Sequence, residues 1–259
     1  VYFLHRVLMG FFPLSAGVLS VLVLLYGLRF RHFAEVFTSA QLFLNQGDFF
    51  RAKELFLNWV KEYDGSEHHI HNPNELVYSA IHHGVERALR QYFAVIFWFL
   101  ALPGPSGLVL YLAVHWSVIR ERELWLVQAF ATEHPGLNEQ WETNRMHAVF
   151  SPRYFQYLME WLPTRLLALT IALVGQFDEV VLAWRTAKAH SRFSNWAPLT
   201  AVCLASVGLV GPREHVDGLD DSAVGALQRF RQLVLKCAVV WLVVAFALAV
   251  LGLIPNPDF

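Results

Sequence analysis

Two long stretches without a charged side chain constrain this chain more than any other feature of its sequence. Residues 7–28 and 237–257 contain no Asp, Glu, Lys or Arg, and Arg6 and Arg29 bracket the first of them. About 20 predominantly apolar residues are enough for a helix to cross the hydrocarbon core of a membrane. Both stretches reach that length, so each is predicted to be a full transmembrane helix.

The composition indicates the same environment. Hydrophobic residues make up 56% of the chain and charged residues 16%, whereas charged residues are about 25% of an ordinary soluble domain. Membrane lipid is therefore expected to surround the apolar side chains that the protein interior does not bury. The 20 basic and 21 acidic residues leave a net charge of −1, which offers no field for a polyanion and excludes nucleic acid as a predicted partner. Cys203 and Cys237 lie in apolar stretches without CxxC spacing and are predicted to be structural thiols.

A third uncharged run, 91–119, is interrupted by the triplet Pro103-Gly104-Pro105. Proline lacks a backbone donor and clashes with the preceding helical turn, so a straight helix cannot pass through the triplet. Neither half, 91–102 or 106–119, is long enough as a helix to cross the hydrocarbon core alone. Arginines flank both ends of the run, and basic residues tend to remain in the cytoplasm, which favours a re-entrant hairpin. A single kinked and tilted span is the alternative.

The region 161–212 contains two shorter uncharged runs, Leu166–Phe177 and Trp196–Pro212, of 12 and 17 residues. Runs of this length are predicted to be short membrane or interfacial helices, shielded by protein or re-entrant, rather than independent spans. Basic residues beside these runs and after the first span indicate that the polar segments are cytoplasmic.

Residues 33–90 have a different character, because apolar side chains recur there at helical spacing. Two amphipathic helices are predicted over 33–45 and 48–63, joined at Gln46-Gly47, with Asp48 as the N-cap of the second. Such a hairpin packs on the membrane-embedded part of its own chain or docks a partner protein.

Together these segments predict an all-α fold in a single domain over 1–259. The expected protein is a multi-pass integral membrane protein with two full spans, proline-broken re-entrant or short helices, and a cytoplasmic amphipathic helical hairpin. A polar loop is predicted over 132–151, which is rich in Glu, Asn and His.

Two polar groups are candidates for chemistry. His68, His69 and His71 form a histidine cluster, but they lie in a predicted loop without HExxH or CxxC nearby, so the cluster is a weak metal candidate. Glu86 and Arg90 stand four residues apart on one helix face, with Arg87 beside them, and can form an ion pair. The three residues either anchor the helix at the membrane surface or line a polar pocket there.

A third candidate is the segment Glu160–Leu166. Trp161 suits the interfacial aromatic belt, Pro163 suits the first turn of a helix, and Arg165 suits contact with a headgroup or phosphate. An interfacial anchor explains these three residues without chemistry. The sequence contains no GxGxxG, Walker or GxSxG motif, so these candidates do not belong to a common nucleotide or hydrolase site.

Residues 79–113, which read SAIHHGVERALRQYFAVIFWFLALPGPSGLVLYLA, resemble the central stretch of a known membrane-protein family. The family comprises the CobD/CbiB adenosylcobinamide-phosphate synthases of cobalamin biosynthesis and the related AmpE proteins. The run Trp161-Leu162-Pro163-Thr164-Arg165-Leu166 is similar to the family's W-[IV]-P-x-R-L motif. The resemblance covers roughly residues 76–190.

The chain departs from the synthase pattern at its polar motifs. Where synthases carry E-N-T-x-D-G, this chain has Glu86 followed by Arg-Ala-Leu-Arg, so only the glutamate remains. The paired aspartates before the W-[IV]-P motif align with Gln156 and Tyr157, and a further N-T-x-D aligns with residues 115–118. A reaction with ATP needs metal-binding carboxylates around the phosphates. The resemblance therefore favours the AmpE side of the family.

The AmpE resemblance implies a bacterial inner-membrane protein with a regulatory or accessory role linked to β-lactamase induction, without the synthase reaction and without a cofactor. Membrane lipid is the expected partner, together with other membrane proteins or further copies of the chain. One alternative is the synthase itself, which would use ATP, magnesium and a corrinoid. The other is a stabilising subunit of a larger membrane complex.

Overall fold

The computed structural model describes residues 30–64, 70–102, 106–131, 151–190, 195–209 and 221–250. Within these residues the chain is helical and has no strand, which confirms the predicted all-α fold class. The predicted span over 7–28 and most of the predicted loop over 132–151 lie outside the described residues. The helices, in chain order, are α1 (Phe30–Asn45), α2 (Phe49–Asp64), α3 (Pro73–Ala88), a π-helical turn (Leu89–Phe93), α4 (Ala94–Ala101), α5 (Ser106–Ala131), α6 (Pro152–Val174), α7 (Phe177–His190), α8 (Trp196–Ser206) and α9 (Asp221–Val250).

The chain divides into two compact units. The first includes Ala94–Pro163, and therefore α4, α5 and the beginning of α6. The second combines Leu28–Phe93 with Thr164–Val244, and therefore contains α1, α2, α3, α7 and α8 with most of α9. Each unit has its own set of packed side chains.

In the second unit, α1 and α2 lie where the sequence predicts two amphipathic helices. Asp48 caps α2, because its carboxylate accepts a hydrogen bond from the backbone N–H of Arg51 at 3.1 Å, which confirms the predicted N-cap. Gly47 has a φ of +76°, the left-handed conformation that a glycine adopts without steric penalty between two helices. The apolar faces of both helices are buried in their own unit.

Aromatic rings form the centre of the second unit. Phe37 on α1 lies edge-to-face with Trp59 on α2, with ring centroids 5.6 Å apart, and 5.4 Å from the ring of Phe230 on α9. Gly84 on α3 allows these rings to approach, because a Cβ atom there would lie 2.6 Å from Phe37 Cζ and 2.8 Å from Phe230 Cε1. The amphipathic helices therefore pack against α9 through aromatic rings, and these rings lie against Gly84 of α3.

In the first unit, α4 and α5 fold back on each other across the predicted break. A Cβ atom on Gly107 would lie 2.0 Å from the carbonyl oxygen of Trp98, nine positions earlier in the chain, whereas an unbroken helix would separate these residues by roughly 13 Å. The triplet Pro103-Gly104-Pro105 itself lies outside the described residues. Helix α5 is longer than the predicted half 106–119, because it extends through Arg120 to Ala131, whereas α4 is shorter than 91–102 and follows α3 through the π-helical turn.

Helix α6 is longer than the short helix predicted from Leu166–Phe177, whereas α8, with 11 residues, has the short length predicted from Trp196–Pro212. Helix α6 has 23 residues, and by length and composition it is able to cross a membrane. Pro163 was expected in the first turn of a helix. In the structure it lies in the interior of α6. The interior proline removes the N–H that would bond the carbonyl of Met159 four residues earlier. The indole Nε1–H of Trp98 on α4 donates to that carbonyl at 3.1 Å, which replaces the lost helical bond and explains why the helix continues.

Helix α9 contains the described part of the last predicted span, 237–257, and begins before it. The segment long and apolar enough to cross a membrane is Val224–Leu248, which begins 13 positions before the predicted 237–257. The helix continues through Arg229, Arg231 and Lys236, because charged side chains on an exposed or half-buried face do not interrupt backbone hydrogen bonding. Residues 251–257 lie outside the described part of the chain.

Candidate functional site

The predicted pair of Glu86 and Arg90 forms at the junction of α3 and the π-helical turn. A guanidinium N–H of Arg90 donates to the Glu86 carboxylate, and the two side chains are 17% and 23% exposed. Turns of π-helix inside α-helices occur frequently at functional sites, because they redirect side chains that a regular helix would place elsewhere. The pair is half-buried and is neither a solvated surface pair nor a core pair.

Side chains from α3 and α8 surround this ion pair. The Arg90 guanidinium carbon lies 4.3 Å from the centroid of the Trp196 ring, which is a cation–π contact. On the other side of the carboxylate, His83 Nδ1 lies 4.0 Å from Glu86 Oε2. His82 contacts Thr200 on α8, with 3.2 Å between Nδ1 and Oγ1. We call His82, His83, Glu86, Arg90, Trp196 and Thr200 the α3–α8 polar cluster.

Arg87 has a different environment from Glu86 and Arg90. It is buried, at 6% exposure, and its guanidinium carbon lies 4.3 Å above the Trp59 ring. Its Nη1 donates to the Trp59 backbone carbonyl at 3.1 Å. Sequence spacing placed the three residues in one group, whereas in the structure Arg87 packs α3 against α2, which is a structural role.

The remaining candidates occupy separate places. Trp161 is 41% exposed on α6, as an interfacial aromatic side chain would be, and Pro163 lies inside that helix. Arg165 is half-buried on the same helix and has interactions of its own. His71 begins the cap of α3, where its backbone N–H donates to Glu75 Oε2 at 2.7 Å.

The predicted histidine cluster lies mostly outside the residues that the structure describes. His68 and His69 lie outside the described residues, and His71 is exposed. Among the residues that the structure describes, no three His, Cys, Asp or Glu side chains are grouped as they would be around a metal ion.

Sequence reasoning missed a buried polar chain in the first unit. Gln156 and Glu160 on α6 are only 3% and 2% exposed, and the Gln156 amide nitrogen lies 2.6 Å from Glu160 Oε1 and 3.2 Å from His115 Nδ1 on α5. Tyr111 lies parallel to the His115 ring, with centroids 6.3 Å apart and planes 9° from parallel. In the resemblance, both Gln156 and His115 fall at positions where synthases have polar motifs.

The two cysteines have the predicted character of structural thiols. Both are free and buried, and both line one small apolar cavity in the second unit. The other residues around this cavity are hydrophobic side chains of α3, α6 and α9 together with Phe93. Thiols in such surroundings are unreactive packing groups.

Comparison with known proteins gives no relative for this chain: no protein-family model, no curated protein and no solved structure matches it. The resemblance to the synthase and AmpE family therefore rests on the quoted motifs alone.

Proposed function

We propose that this chain is an AmpE-like integral membrane protein of the bacterial inner membrane, with a regulatory or accessory role and without the synthase reaction. The polar segments, including α1 and α2, face the cytoplasm in this proposal. The single observation that carries the membrane assignment is the polarity of α6.

Helix α6 buries several polar side chains, beside apolar ones such as Leu167 and Ile171, and exposes an apolar face. Gln156, Glu160, Thr164 and Thr170 are at most 7% exposed. The opposite face is an uninterrupted apolar stripe at helical spacing, each of its side chains at least 37% exposed: Phe155, Leu158, Leu162, Leu166, Leu169 and Leu173. Water would favour the reverse arrangement, whereas lipid favours apolar side chains outside and polar groups inside. We call these six residues the leucine stripe.

Helix α9 has the same kind of exposed face. Val239, Leu242, Val243 and Phe246 are between 52% and 71% exposed, and only 22% of an apolar 18-residue stretch within Val224–Leu248 is buried. A soluble core helix would be mostly covered by its own protein. In this proposal, lipid acyl chains contact the apolar side chains of α9 that the described residues leave exposed.

The polar groups favour an accessory role over the synthase reaction. Glu86, the one residue retained from the first synthase motif, is held by Arg90. At the next two motifs the aligned residues Gln156 and His115 contact each other, and neither is a carboxylate. A phosphoryl-transfer site would need carboxylates to hold magnesium near the phosphates. The groups found here suit anchoring and regulation better.

Activity of the purified protein distinguishes the proposed role from its rival. The full chain in lipid is incubated with ATP, magnesium, aminopropanol phosphate and the corrinoid acid, and product is measured by mass spectrometry. We expect no turnover above a protein-free control, and robust turnover would establish the synthase. In cells that lack the protein, β-lactamase induction is expected to change and to return on complementation; unchanged induction would contradict the AmpE-like role.

A further inference from the structure

Polar and apolar side chains separate along the exposed face of α9. From Gln228 to Lys236 the exposed residues are polar, apart from Leu235. From Val239 onwards the described exposed side chains are hydrophobic, and no charged or amide side chain occurs again up to Val250. A helix that passes from water into hydrocarbon changes in this way, because charged side chains are costly inside a membrane. The change on α9 lies between Lys236 and Val239.

Helix α6 shows the same change in the opposite direction along the chain. Its leucine stripe ends at Leu173, which is 71% exposed. The next exposed residues are Gly175, Gln176, Phe177, Asp178 and Glu179. Polar side chains therefore replace apolar ones on the surface within one helical turn of Leu173.

A hydrogen bond relates the two changes in level. The indole Nε1–H of Trp241 on α9 donates to Thr170 Oγ1 on α6 at 3.0 Å. At the rise of an α-helix, Leu173 lies roughly 4.5 Å beyond Thr170, and the polar residues of α6 follow it. On α9, Val239 lies roughly 3 Å and Lys236 roughly 7.5 Å before Trp241. Both changes therefore occur at a similar distance from this bond.

The two changes lie on the same side of the bond, because α6 and α9 run antiparallel. At the end of α6, a Cβ atom on Gly175 would lie 3.3 Å from Ser206 Oγ on α8. One turn before Ser206, Cys203 lines the same cavity as Cys237 of α9. Moving towards the end of α6 therefore corresponds to moving from Trp241 back to Cys237 on α9.

Helix α3 can be aligned with α9 in the same way. A Cβ atom on Gly84 would lie 2.8 Å from Phe230 Cε1. Further along, the centroids of the Phe93 and Trp241 rings are 5.2 Å apart. Residue numbers increase together at these two contacts, so α3 and the π-helical turn run parallel to α9.

This alignment gives the level of the Glu86–Arg90 ion pair. Arg90 stands about two thirds of the way between the two contacts, and the corresponding place on α9 is next to Lys236. Between Gln91 and Ala101 the chain has no charged or amide side chain. The last charged residue of this helix therefore stands at the level where α6 and α9 change from polar to apolar.

We propose that the surface of the lipid bilayer crosses the second unit at the level of Arg90, Gln176 and Lys236. The inference rests on the membrane assignment made above and adds a depth to it. Lys236, which is exposed, stands where lipid phosphates lie, and the acyl chains begin at Leu173 and Val239. The α3–α8 polar cluster then stands in the headgroup region, and the exposed polar face of α7 lies in water.

The proposed level leaves Arg165 inside the bilayer. It lies roughly 7.5 Å before Thr170, on the side away from the surface. Arg165 is half-buried and has interactions of its own, as charged side chains within a membrane do when protein surrounds them. The sequence instead predicts an interfacial anchor at Trp161 and Arg165, so the two levels can be separated by experiment.

Spin labels on the full chain in lipid vesicles measure the level of the surface. Each label reports its access to oxygen, which concentrates in hydrocarbon, and to a nickel chelate, which remains in water. On α9 we expect nickel access at Gln232→Cys and oxygen access at Val239→Cys and Val243→Cys. Along α6 and α7 we expect oxygen access at Leu173→Cys and nickel access at Glu179→Cys. The ratio of oxygen to nickel access should therefore change at one common level.

Two results would overturn this level alone. Nickel access at Leu166→Cys would move the surface to the interfacial anchor that the sequence predicts. Nickel access at Val243→Cys, with oxygen access retained at Leu173→Cys, would show that α6 and α9 do not cross a common surface. The labels that still favour oxygen would support the membrane assignment in both cases. Nickel access at every labelled position would overturn the membrane assignment together with the depth.

Leu42→Cys on α1 is the matched control for Leu169→Cys on α6, because the two leucines are 53% and 54% exposed. Gln41 Nε2, beside Leu42, donates to Gln228 Oε1 at 3.2 Å, so Leu42 lies near the polar part of α9. We expect nickel access at Leu42→Cys and oxygen access at Leu169→Cys, and equal access would contradict the proposal. The two native cysteines are buried, so the wild-type chain labelled in parallel gives the background. A label on α9 that prevents folding is replaced by Leu242→Cys, which is also exposed.

Discussion

The amphipathic helices α1 and α2 differ from helix α6 in which side chains they expose. In α1 and α2 the buried side chains are hydrophobic, such as Phe37 and Phe56, and the exposed ones are mostly polar, such as Glu35 and Lys61. In α6 the exposed side chains form the leucine stripe, and the buried ones include Gln156 and Glu160. The two regions therefore differ in which kind of side chain they expose.

This difference shows what composition alone conceals. A hydrophobic fraction of 56% is an average over helices that bury their apolar face in protein and helices that expose it. Burial, residue by residue, separates the two classes, because the environment that solvates a face determines which side chains it tolerates. If both classes of helix had the same surroundings, matched substitutions in the two regions would have equal effects.

Reversing the polarity of one exposed leucine in each region is the most direct test. Leu169 on α6 and Leu42 on α1 are 54% and 53% exposed, so they are matched in exposure. Leu169→Arg should reduce stability in lipid by roughly 2.5–3.5 kcal/mol, the cost of an arginine within a membrane helix. Leu42→Arg should change stability by less than about 0.5 kcal/mol, as an exposed substitution in water does. Thermal unfolding in nanodiscs measures both, and equal effects would remove the contrast.

Gly84→Ala tests the aromatic core that α1 and α2 help to form. The added Cβ would lie 2.6 Å from Phe37 and 2.8 Å from Phe230, and packed rings have little room to move. We expect a loss of about 1–3 kcal/mol, the usual range for overpacking. The control is Gly225→Ala on α9, where a Cβ meets only Arg229 Nη1 at 3.9 Å, so the variant should be neutral or more stable. A stable Gly84→Ala would show that this core is loosely packed.

The bond from Trp98 to the Met159 carbonyl tests how the first unit satisfies a carbonyl that has lost its helical donor. Trp98→Phe leaves that carbonyl without its indole donor, at an expected loss of about 1–2 kcal/mol. Pro163→Ala restores an N–H that bonds Met159 within the helix, so Trp98→Phe should cost less in that background. A double-mutant cycle measures the coupling, which we expect at about 1 kcal/mol. Additive effects would mean that the indole does not replace the missing helical bond.

Glu86→Gln should have the smallest effect. The ion pair with Arg90 is partly exposed, and such pairs contribute about 1 kcal/mol or less. If the pair only anchors α3, the variant should have normal expression, stability and β-lactamase induction. Arg90→Gln, which also removes the cation from the Trp196 ring, is the comparison variant and should be somewhat less stable. Loss of induction in Glu86→Gln at normal expression would assign the α3–α8 polar cluster a functional role.

Several features could be predicted because they depend on residues close together in the chain. The spacing of apolar residues predicts the amphipathic helices. The Asp48 cap depends only on one side chain and the backbone turn that follows it. The Glu86–Arg90 pair follows from a separation of four residues on one helix. The extents of α6 and α9 were predicted less well. Counting uncharged residues locates apolar runs, but helices continue through Pro163 and through Arg229 when their surroundings permit it.

The sequence by itself determined the all-α class, the two amphipathic helices and the local ion pair, since backbone propensity and helical periodicity act over a few residues. Only the tertiary structure decided that Pro163 lies inside a long helix, because the compensating donor, Trp98, is 61 positions from Met159. It also placed His115 against Gln156, 41 positions away, and Arg87 on Trp59. These contacts depend on how helices pack, and helix packing depends on side chains that are far apart in the sequence.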